Sequence, residues 1–208
     1  MNIKKYKIFT LGLVCLMSYS IAGTLSGHVK YDGKAPRSKK LRMDADPVCG
    51  SSHSGPVYGE SFKMSSDGSM EEALVYLKKV DYSGGVPSSP VVLDQKGCIY
   101  TPHVLGMVAG QELLIKNSDA TLHNIHSMPK VNKEFNFAMP KVVKTKKATF
   151  AKSEPEPFYI KCDVHPWMRS WVLVSDHPYF SVTDKAGNFS IEGIPAGTYE
   201  VICWQEKF

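Results

Sequence analysis

Cys162-Asp163-Val164-His165-Pro166-Trp167-Met168 brings a thiol, an imidazole and a thioether into seven residues, directly after an apolar run. This combination of soft sulfur, imidazole nitrogen and weak thioether favours copper over magnesium, calcium or manganese. A fourth donor has to come from elsewhere in the chain. Upstream, Thr121-Leu122-His123-Asn124-Ile125-His126 offers two histidines, so the next question is which of them faces the same side as the cysteine.

Strand periodicity distinguishes the two upstream histidines. In the apolar run Phe158–Cys162 alternate side chains share one face, so Cys162 leaves the strand pointing inward. His123 shares its face with the apolar Ile125, whereas His126 falls on the opposite face. An extended strand does not bring both histidines to one metal. We therefore predict that His123 is the fourth donor and that His126 is a rim or surface residue.

The predicted ligands are His123, Cys162, His165 and Met168. Two imidazoles, a thiolate and a weak axial thioether form the trigonal site of blue copper proteins. Pro166 fixes one backbone angle and stiffens the loop that holds three of these donors. Because no strong coordination position stays open, the site is expected to exchange single electrons. An enzyme is not expected, since no nucleophile–base spacing stands out.

The two ligand motifs resemble those of the cupredoxins, within the amicyanin and plastocyanin group. Cys162 to Arg169 is similar to the short amicyanin-type ligand loop, and Leu122 to His126 is similar to the strand that carries the first ligand. The resemblance implies the same four ligands and one mononuclear type 1 copper site. It also implies that Asn124 ties the two ligand segments together by hydrogen bonds. The stretch Asp176–Phe180 is similar to proteins of the methylamine-utilisation type.

Short strand-like runs alternate with turns along the whole chain. Pro, Gly and Ser recur roughly every eight to twelve residues, which indicates an all-β sandwich or barrel. The resemblance narrows this to a cupredoxin Greek-key β-sandwich with small β-sandwich elements at both ends. One weak helical turn is expected around Val131 to Phe137. The predicted strands are Thr24–Tyr31, Ala73–Lys78, Val91–Leu93, Gln111–Lys116, Leu122–Ser127, Thr149–Ala151, Phe158–Cys162, Trp171–Val174, Asn188–Ile191 and Tyr199–Trp204.

The two ends of the chain differ from its middle, which holds all the candidate metal ligands. At the N-terminal end, Leu25–Gly33 begins one β-unit, and the C-terminal end carries an Asp-x-x-Gly turn at 184–187 and a Pro-x-Gly turn at 195–197. Together the two ends resemble a carboxypeptidase regulatory-like β-sandwich. We predict an N-terminal β segment over 23–89, a cupredoxin domain over 90–176, and a C-terminal β-hairpin segment over 177–208 that packs with the N-terminal one. The alternative is that each end merely extends the central sheets.

Residues 1–22 have the features of an export signal. Lys4, Lys5 and Lys7 precede the apolar run Ile8–Met17, which is too short to span a bilayer, and cleavage is expected after Ala22. No stable membrane span is expected after its removal, and the resemblance implies a periplasmic location. Without these three lysines, 22 basic and 20 acidic residues remain. A net charge this small gives no case for nucleic-acid binding.

Four cysteines lie in the predicted exported chain, in a compartment that permits disulfides. With Cys162 assigned to the metal, at most one pair remains among the other three. Cys49 and Cys98 both lie beside polar, turn-rich stretches and are the preferred pair. Cys203 lies in an apolar strand and is expected to be a buried free thiol.

The expected partner is a redox protein such as a cytochrome c or a dehydrogenase. Trp167 and Trp171 flank the ligand loop. They either pack in the interior or form an apolar docking patch around an exposed edge of His165. Two other functions stay open: copper carriage, storage or sensing without electron transfer, and an interaction module for protein or glycan in which copper is structural.

Overall fold

In the computed structural model, residues 22–208 are described and their regular structure is almost entirely β-strand. The predicted signal peptide therefore lies outside the described residues except for its last residue. The strands are β1 Gly23–His28, β2 Lys63–Met64, β3 Met70–Glu71, β4 Leu74–Leu77, β5 Val91–Lys96, β6 Ile99–Thr101, β7 Val104–Val108, β8 Glu112–Asn117, β9 His123–Ser127, β10 Asn136–Met139, β11 Thr145–Thr149, β12 Phe158–Lys161, β13 Arg169–Ser175, β14 Phe180–Val182, β15 Asn188–Ile194 and β16 Val201–Trp204. One short helix, α1, spans Pro47–Ser51.

Two sheets form the centre of the molecule. One has the order β10-β9-β12-β13-β7 and the other β11-β8-β5-β6. Alternate residues of β8, among them Leu113 and Ile115, are fully buried, and Ile125 and Ile160 meet them from the other sheet in the same core. Burying an aliphatic side chain of this size contributes about 1.5–3 kcal/mol. The predicted all-β sandwich is confirmed.

The two ends of the chain pair with each other. Strand β1 pairs with β15, and β4 lies between β14 and β16. Their interior is a separate cluster that includes Val75, Leu77 and Ile191. None of these described strands hydrogen-bonds to a strand of the two central sheets, although Leu74 packs against Leu173 of β13. The domain boundaries at 89 and 176 stay a prediction.

A stretch of the N-terminal segment, residues 41–57, leaves this outer part and joins the central core. Met43 and Cys49 belong to the same buried cluster as the ligand loop, and Leu41 and Val57 pack against it. The predicted Cys49–Cys98 disulfide is present and fastens the stretch to the loop between β5 and β6. As a result, α1 lies over the end of the sandwich where the ligand motifs meet.

Two local predictions are wrong. No helical turn forms at 131–137, because the Glu154 carboxylate accepts hydrogen bonds from the backbone N–H groups of Lys130, Val131 and Asn132 and holds them in a loop. Cys203 is a free thiol, as expected, but it is exposed and not buried, because β16 is an edge strand of the three-stranded sheet β14-β4-β16. Within residues 22–208, no helix is long and apolar enough to cross a membrane.

Candidate metal centre

Three of the predicted ligands converge inside the central sandwich. His123 begins β9, Cys162 directly follows β12, and His165 lies in the loop before β13, with exposed fractions of 0%, 2% and 3%. The two Nδ1 atoms are 3.0 Å apart, and Sγ of Cys162 is 3.9 Å from Nδ1 of His165. All three donor atoms lie within 4.8 Å of one another. Strand β9 and the loop after β12 thus present one sulfur and two nitrogens to a common point.

Backbone N–H groups surround the sulfur of Cys162. Asn124 N lies 3.5 Å and His165 N 3.4 Å from Sγ. Burial acts to raise the pKa of this thiol, but hydrogen bonds from His123 and from these N–H groups hold the pKa below its usual value. The surroundings therefore favour the thiolate, which is the form that binds a metal.

Met168 closes the ligand loop. Its side chain is 1% exposed and belongs to the same core cluster as Cys162. Its carbonyl accepts a hydrogen bond from Cys162 N at 3.2 Å, and its N–H donates to the carbonyl of His165 at 2.9 Å. These two bonds fold residues 162–168 into a tight turn, and the Met168 side chain packs in the same buried cluster as the thiol.

His126 lies outside this cluster, on the rim. Its ring nitrogens lie 2.9 Å from Asp163 Oδ2 and 2.6 Å from Glu134 Oε1. It is partly exposed, whereas His123 is fully buried. The alternation of β9 thus sends the two histidines to opposite faces of the sheet.

Asn124 joins the two ligand segments, the function that the resemblance implied. Its Oδ1 accepts a hydrogen bond from Asp163 N at 2.6 Å, and its Nδ2 donates to Asn136 Oδ1 at 2.8 Å. The residue next to His123 therefore holds the residue next to Cys162. This bond fixes the separation of β9 and the ligand loop.

A carboxylate holds the outer nitrogen of each histidine. Nε2 of His123 lies 2.8 Å from Asp119, and Nε2 of His165 lies 3.1 Å from Asp46. Burial alone would lower the pKa of His123, but hydrogen bonds to Asp119 and Cys162 raise it to about 9. A histidine that binds a metal through one nitrogen commonly donates the other N–H to a carboxylate, which fixes its tautomer and orientation. The residues present fit a metal bound through the two Nδ1 atoms and the thiolate.

Neither carboxylate was recognised in the sequence. Asp119 accepts hydrogen bonds from Gly97 N at 2.7 Å and Cys98 N at 2.8 Å, so it also orders the turn that carries the disulfide. Asp46 precedes Pro47, a pattern typical of a helix start, and it accepts from Val48 N at 2.8 Å as the N-cap of α1. The pattern signals the cap, but it gives no sign that the same carboxylate reaches His165.

An exposed edge of His165, one of the two alternatives for the aromatic loop, is not present. Asp46 and Cys49 cover the ring, with Cys49 Sγ 3.6 Å from Nε2. Trp171 packs between the rings of Tyr159 and Trp204, which is the packing alternative. The stretch 41–57 is the physical reason, because it occupies the surface where that edge would emerge.

No protein-family model matches this chain, and no curated protein matches it. Solved structures that resemble it include a purple cupredoxin from Nitrosopumilus maritimus, 22% identical with a TM-score of 0.34, covering 41% of this chain and 99% of that one. A Cu(I) form of an amicyanin variant is 22% identical with a TM-score of 0.37, covering 50% and 100%. A copper-containing nitrite reductase from Thermus scotoductus SA-01 is 21% identical with a TM-score of 0.36, covering 49% of this chain and 25% of that chain. The chemistry of the site therefore rests on this chain's own residues.

Proposed function

We propose that this protein is an exported copper protein that carries single electrons, with one type 1 copper bound by His123, Cys162, His165 and Met168. The observation that carries the proposal is the buried convergence of two imidazole Nδ1 atoms and one thiol, all within 4.8 Å. Copper bound there would supply a one-electron couple, Cu(I)/Cu(II), in which the thiolate is the strongest donor.

The protein's contribution is to hold these donors in place. Asp119 and Asp46 fix the two imidazoles from outside, and Asn124 fixes the spacing of the two ligand segments. A rigid donor set keeps the two oxidation states similar in geometry and so lowers the reorganisation on electron transfer. If Met168 completes the set of His123, Cys162 and His165, no strong position is free for a substrate, so we propose an electron carrier and not an enzyme.

The burial of the ligands also bears on copper carriage, storage or sensing. The two histidines and the cysteine that would bind copper are at most 3% exposed, and residues 41–57, fastened by the Cys49–Cys98 disulfide, lie over His165. Rapid delivery of copper to another protein would require this stretch to open. The geometry therefore favours electron transfer over exchange. A periplasmic location is part of the proposal, supported by the signal-like residues 1–22 and by the disulfide.

The test is the absorption spectrum of the purified protein after addition of one equivalent of Cu(II). We expect the intense visible band of a copper–thiolate bond. Cys162→Ser removes the band, and His123→Ala removes or strongly shifts it. His126→Ala is the matched control and leaves the band in place. A colourless copper complex, or a band that depends on His126 and not on His123, would contradict the proposal.

A further inference from the structure

The covered edge of His165 raises the question of where an electron crosses the surface. His165 is 3% exposed and Asp46 and Cys49 occupy its outer edge. Trp167, two residues later, has its ring centroid 5.2 Å from that of His165 and is itself only partly buried. Its indole N–H donates to the carbonyl of Cys98 at 2.9 Å, which fixes the ring. Trp167 is thus a held aromatic side chain that reaches from the donor cluster toward solvent.

Trp167 lines a groove of about 470 Å³, which we call the basic groove. Three parts of the chain build it: the N-terminal segment with Arg37 and Lys39, the ligand loop with Trp167 and Arg169, and the C-terminal end with Lys207. All four cationic residues are exposed. The groove therefore places positive charge around the aromatic residue next to His165.

The charges of the basic groove are largely uncompensated. Among the described residues, no carboxylate forms an ion pair with its four cations. Two carboxylates also line it, and both have partners of their own: Glu60 lies 2.6 Å from Lys63 and Glu206 2.8 Å from His103. The field at the groove is consequently positive, although the predicted exported chain carries only 22 basic against 20 acidic residues.

We propose that the basic groove is the docking surface for a redox protein with an acidic surface, and that Trp167 lies on the path of the electron. The proposal rests on the proposed copper function. One electron passes between the copper and the partner's cofactor, so that Cu(I) becomes Cu(II) as the partner is reduced by one electron; no bond forms or breaks. Complementary charge at such a surface raises the rate of association and selects the partner. A partner with a basic surface is disfavoured.

Two charged oxidants of opposite sign test the groove without the natural partner. The Cu(I) protein is mixed in stopped flow with hexacyanoferrate(III), a trianion, or with tris(phenanthroline)cobalt(III), a trication. We expect Arg37→Glu/Lys39→Glu to slow oxidation by the anion about tenfold at low salt and to speed oxidation by the cation, with both effects disappearing at high salt. Lys133→Glu/Lys141→Glu changes the net charge equally at exposed positions outside the groove and is the matched control. Equal effects of the two double variants would overturn the proposal.

The path through Trp167 needs its own variants. Trp167→Phe keeps an aromatic ring beside His165, whereas Trp167→Leu removes it. All oxidation rates are corrected for any change in the measured reduction potential. We expect the Phe variant to be oxidised within about threefold of the wild-type rate, and the Leu variant to be oxidised about tenfold or more slowly by both reagents. Leu rates equal to those of the wild type would exclude Trp167 from the path.

A measurement on the copper-free protein is independent of electron transfer. Hexacyanocobaltate(III), a redox-inert trianion, is titrated into the ¹⁵N-labelled protein, and amide shifts are expected at 37–39, 167–169 and 207. Shifts confined to other surfaces would overturn the proposal. So would binding to phosphatidylglycerol vesicles that depends on Arg37 and Lys39, if the oxidation rates do not depend on them, because the groove would then face a membrane. Loss of the copper–thiolate band would instead contradict the proposed function, whereas an intact band with no dependence on the groove would contradict the groove alone.

Discussion

The Asp46 carboxylate lies 3.1 Å from Nε2 of His165, although 119 residues separate them in the chain. Asp46 is also the N-cap of α1 and accepts a hydrogen bond from Thr121 at 3.0 Å, just before the strand of His123. One side chain thus connects the N-terminal segment, the strand of the first histidine and the ligand loop. Burial acts to raise the pKa of Asp46, but hydrogen bonds from Thr121 and His165 lower it, so the group is anionic near neutral pH.

Asp46→Asn is expected to raise the reduction potential of bound copper. The substitution removes a negative charge beside His165, and that charge favours Cu(II) over Cu(I). At the dielectric of a protein surface the change amounts to about 1 kcal/mol, or on the order of 40 mV for one electron. Voltammetry measures the shift. Asp44→Asn removes the same charge from an exposed residue two positions earlier and serves as the control; equal shifts in both variants would show that Asp46 acts only through net charge.

Asn124→Ala is expected to loosen the two ligand segments. The variant loses the hydrogen bond from Asp163 N, and we expect the free energy of unfolding of the copper-free protein to fall by about 1–3 kcal/mol. The copper-loaded variant should also lose copper to a chelator faster. Urea unfolding and chelator competition measure the two effects. Asn136→Ala removes a neighbouring amide but keeps the Asn124–Asp163 bond, and we expect it to be the milder variant. The reverse order would contradict the linking function of Asn124.

Local periodicity was enough to find the centre of the site. The alternation of Phe158–Cys162 and of the strand after Leu122 depends only on neighbouring residues, and the burial of Cys162 and His123 follows it. Strands with weak alternation were missed, such as β7 with Gly106 at its centre and the short β6. Their pairing is set by the sheet around them and not by their own residues.

Long-range contacts could not be predicted from the sequence, for a different reason. Asp46 carries a readable helix-start pattern, but its contact with His165 depends on how residues 41–57 fold over the sandwich. The same is true of Glu154, whose carboxylate holds the backbone of 130–132 and prevents the expected helical turn. In both cases one side chain contacts a segment far away in the chain, and no local sequence pattern indicates such a contact.

Removal of the disulfide is expected to destabilise the protein and to uncover His165. The Cys49–Cys98 bond closes a loop with a sequence separation of 49, and loss of such a bond costs about 2–5 kcal/mol. Cys49→Ser/Cys98→Ser should therefore unfold at lower urea concentration, and its copper should pass to a chelator faster, because residues 41–57 are released. Cys203→Ser, at an exposed free thiol, is the control and should match the wild type. An unchanged rate of copper loss would show that this stretch stays in place without the disulfide.

The buried pair of His103 and Glu206 ties the C-terminal end to the central sandwich. Nε2 of His103 lies 2.8 Å from Glu206, and both side chains are 8% exposed. Burial lowers the pKa of His103, but the hydrogen bond to Glu206 raises it above its ordinary value of 6.5. Burial raises the pKa of Glu206, but the hydrogen bond to His103 brings it below its ordinary value of 4.5. The charged form of each residue is therefore favoured by the other.

The stabilisation by this pair should depend on pH from both sides. The raised pKa of His103 gives stabilisation that is complete below pH 6.5 and is lost as the pH rises through the folded value; the lowered pKa of Glu206 gives stabilisation that is complete above pH 4.5 and is lost as the pH falls. Urea unfolding should therefore show Glu206→Gln to be less stable than the wild type by about 1–3 kcal/mol between these values, and by less on either side. Glu200→Gln changes an exposed carboxylate of the same segment and should have little effect at any pH. A difference between Glu206→Gln and the wild type that stays constant from pH 4 to pH 9 would show that the pair contributes through packing and not through charge.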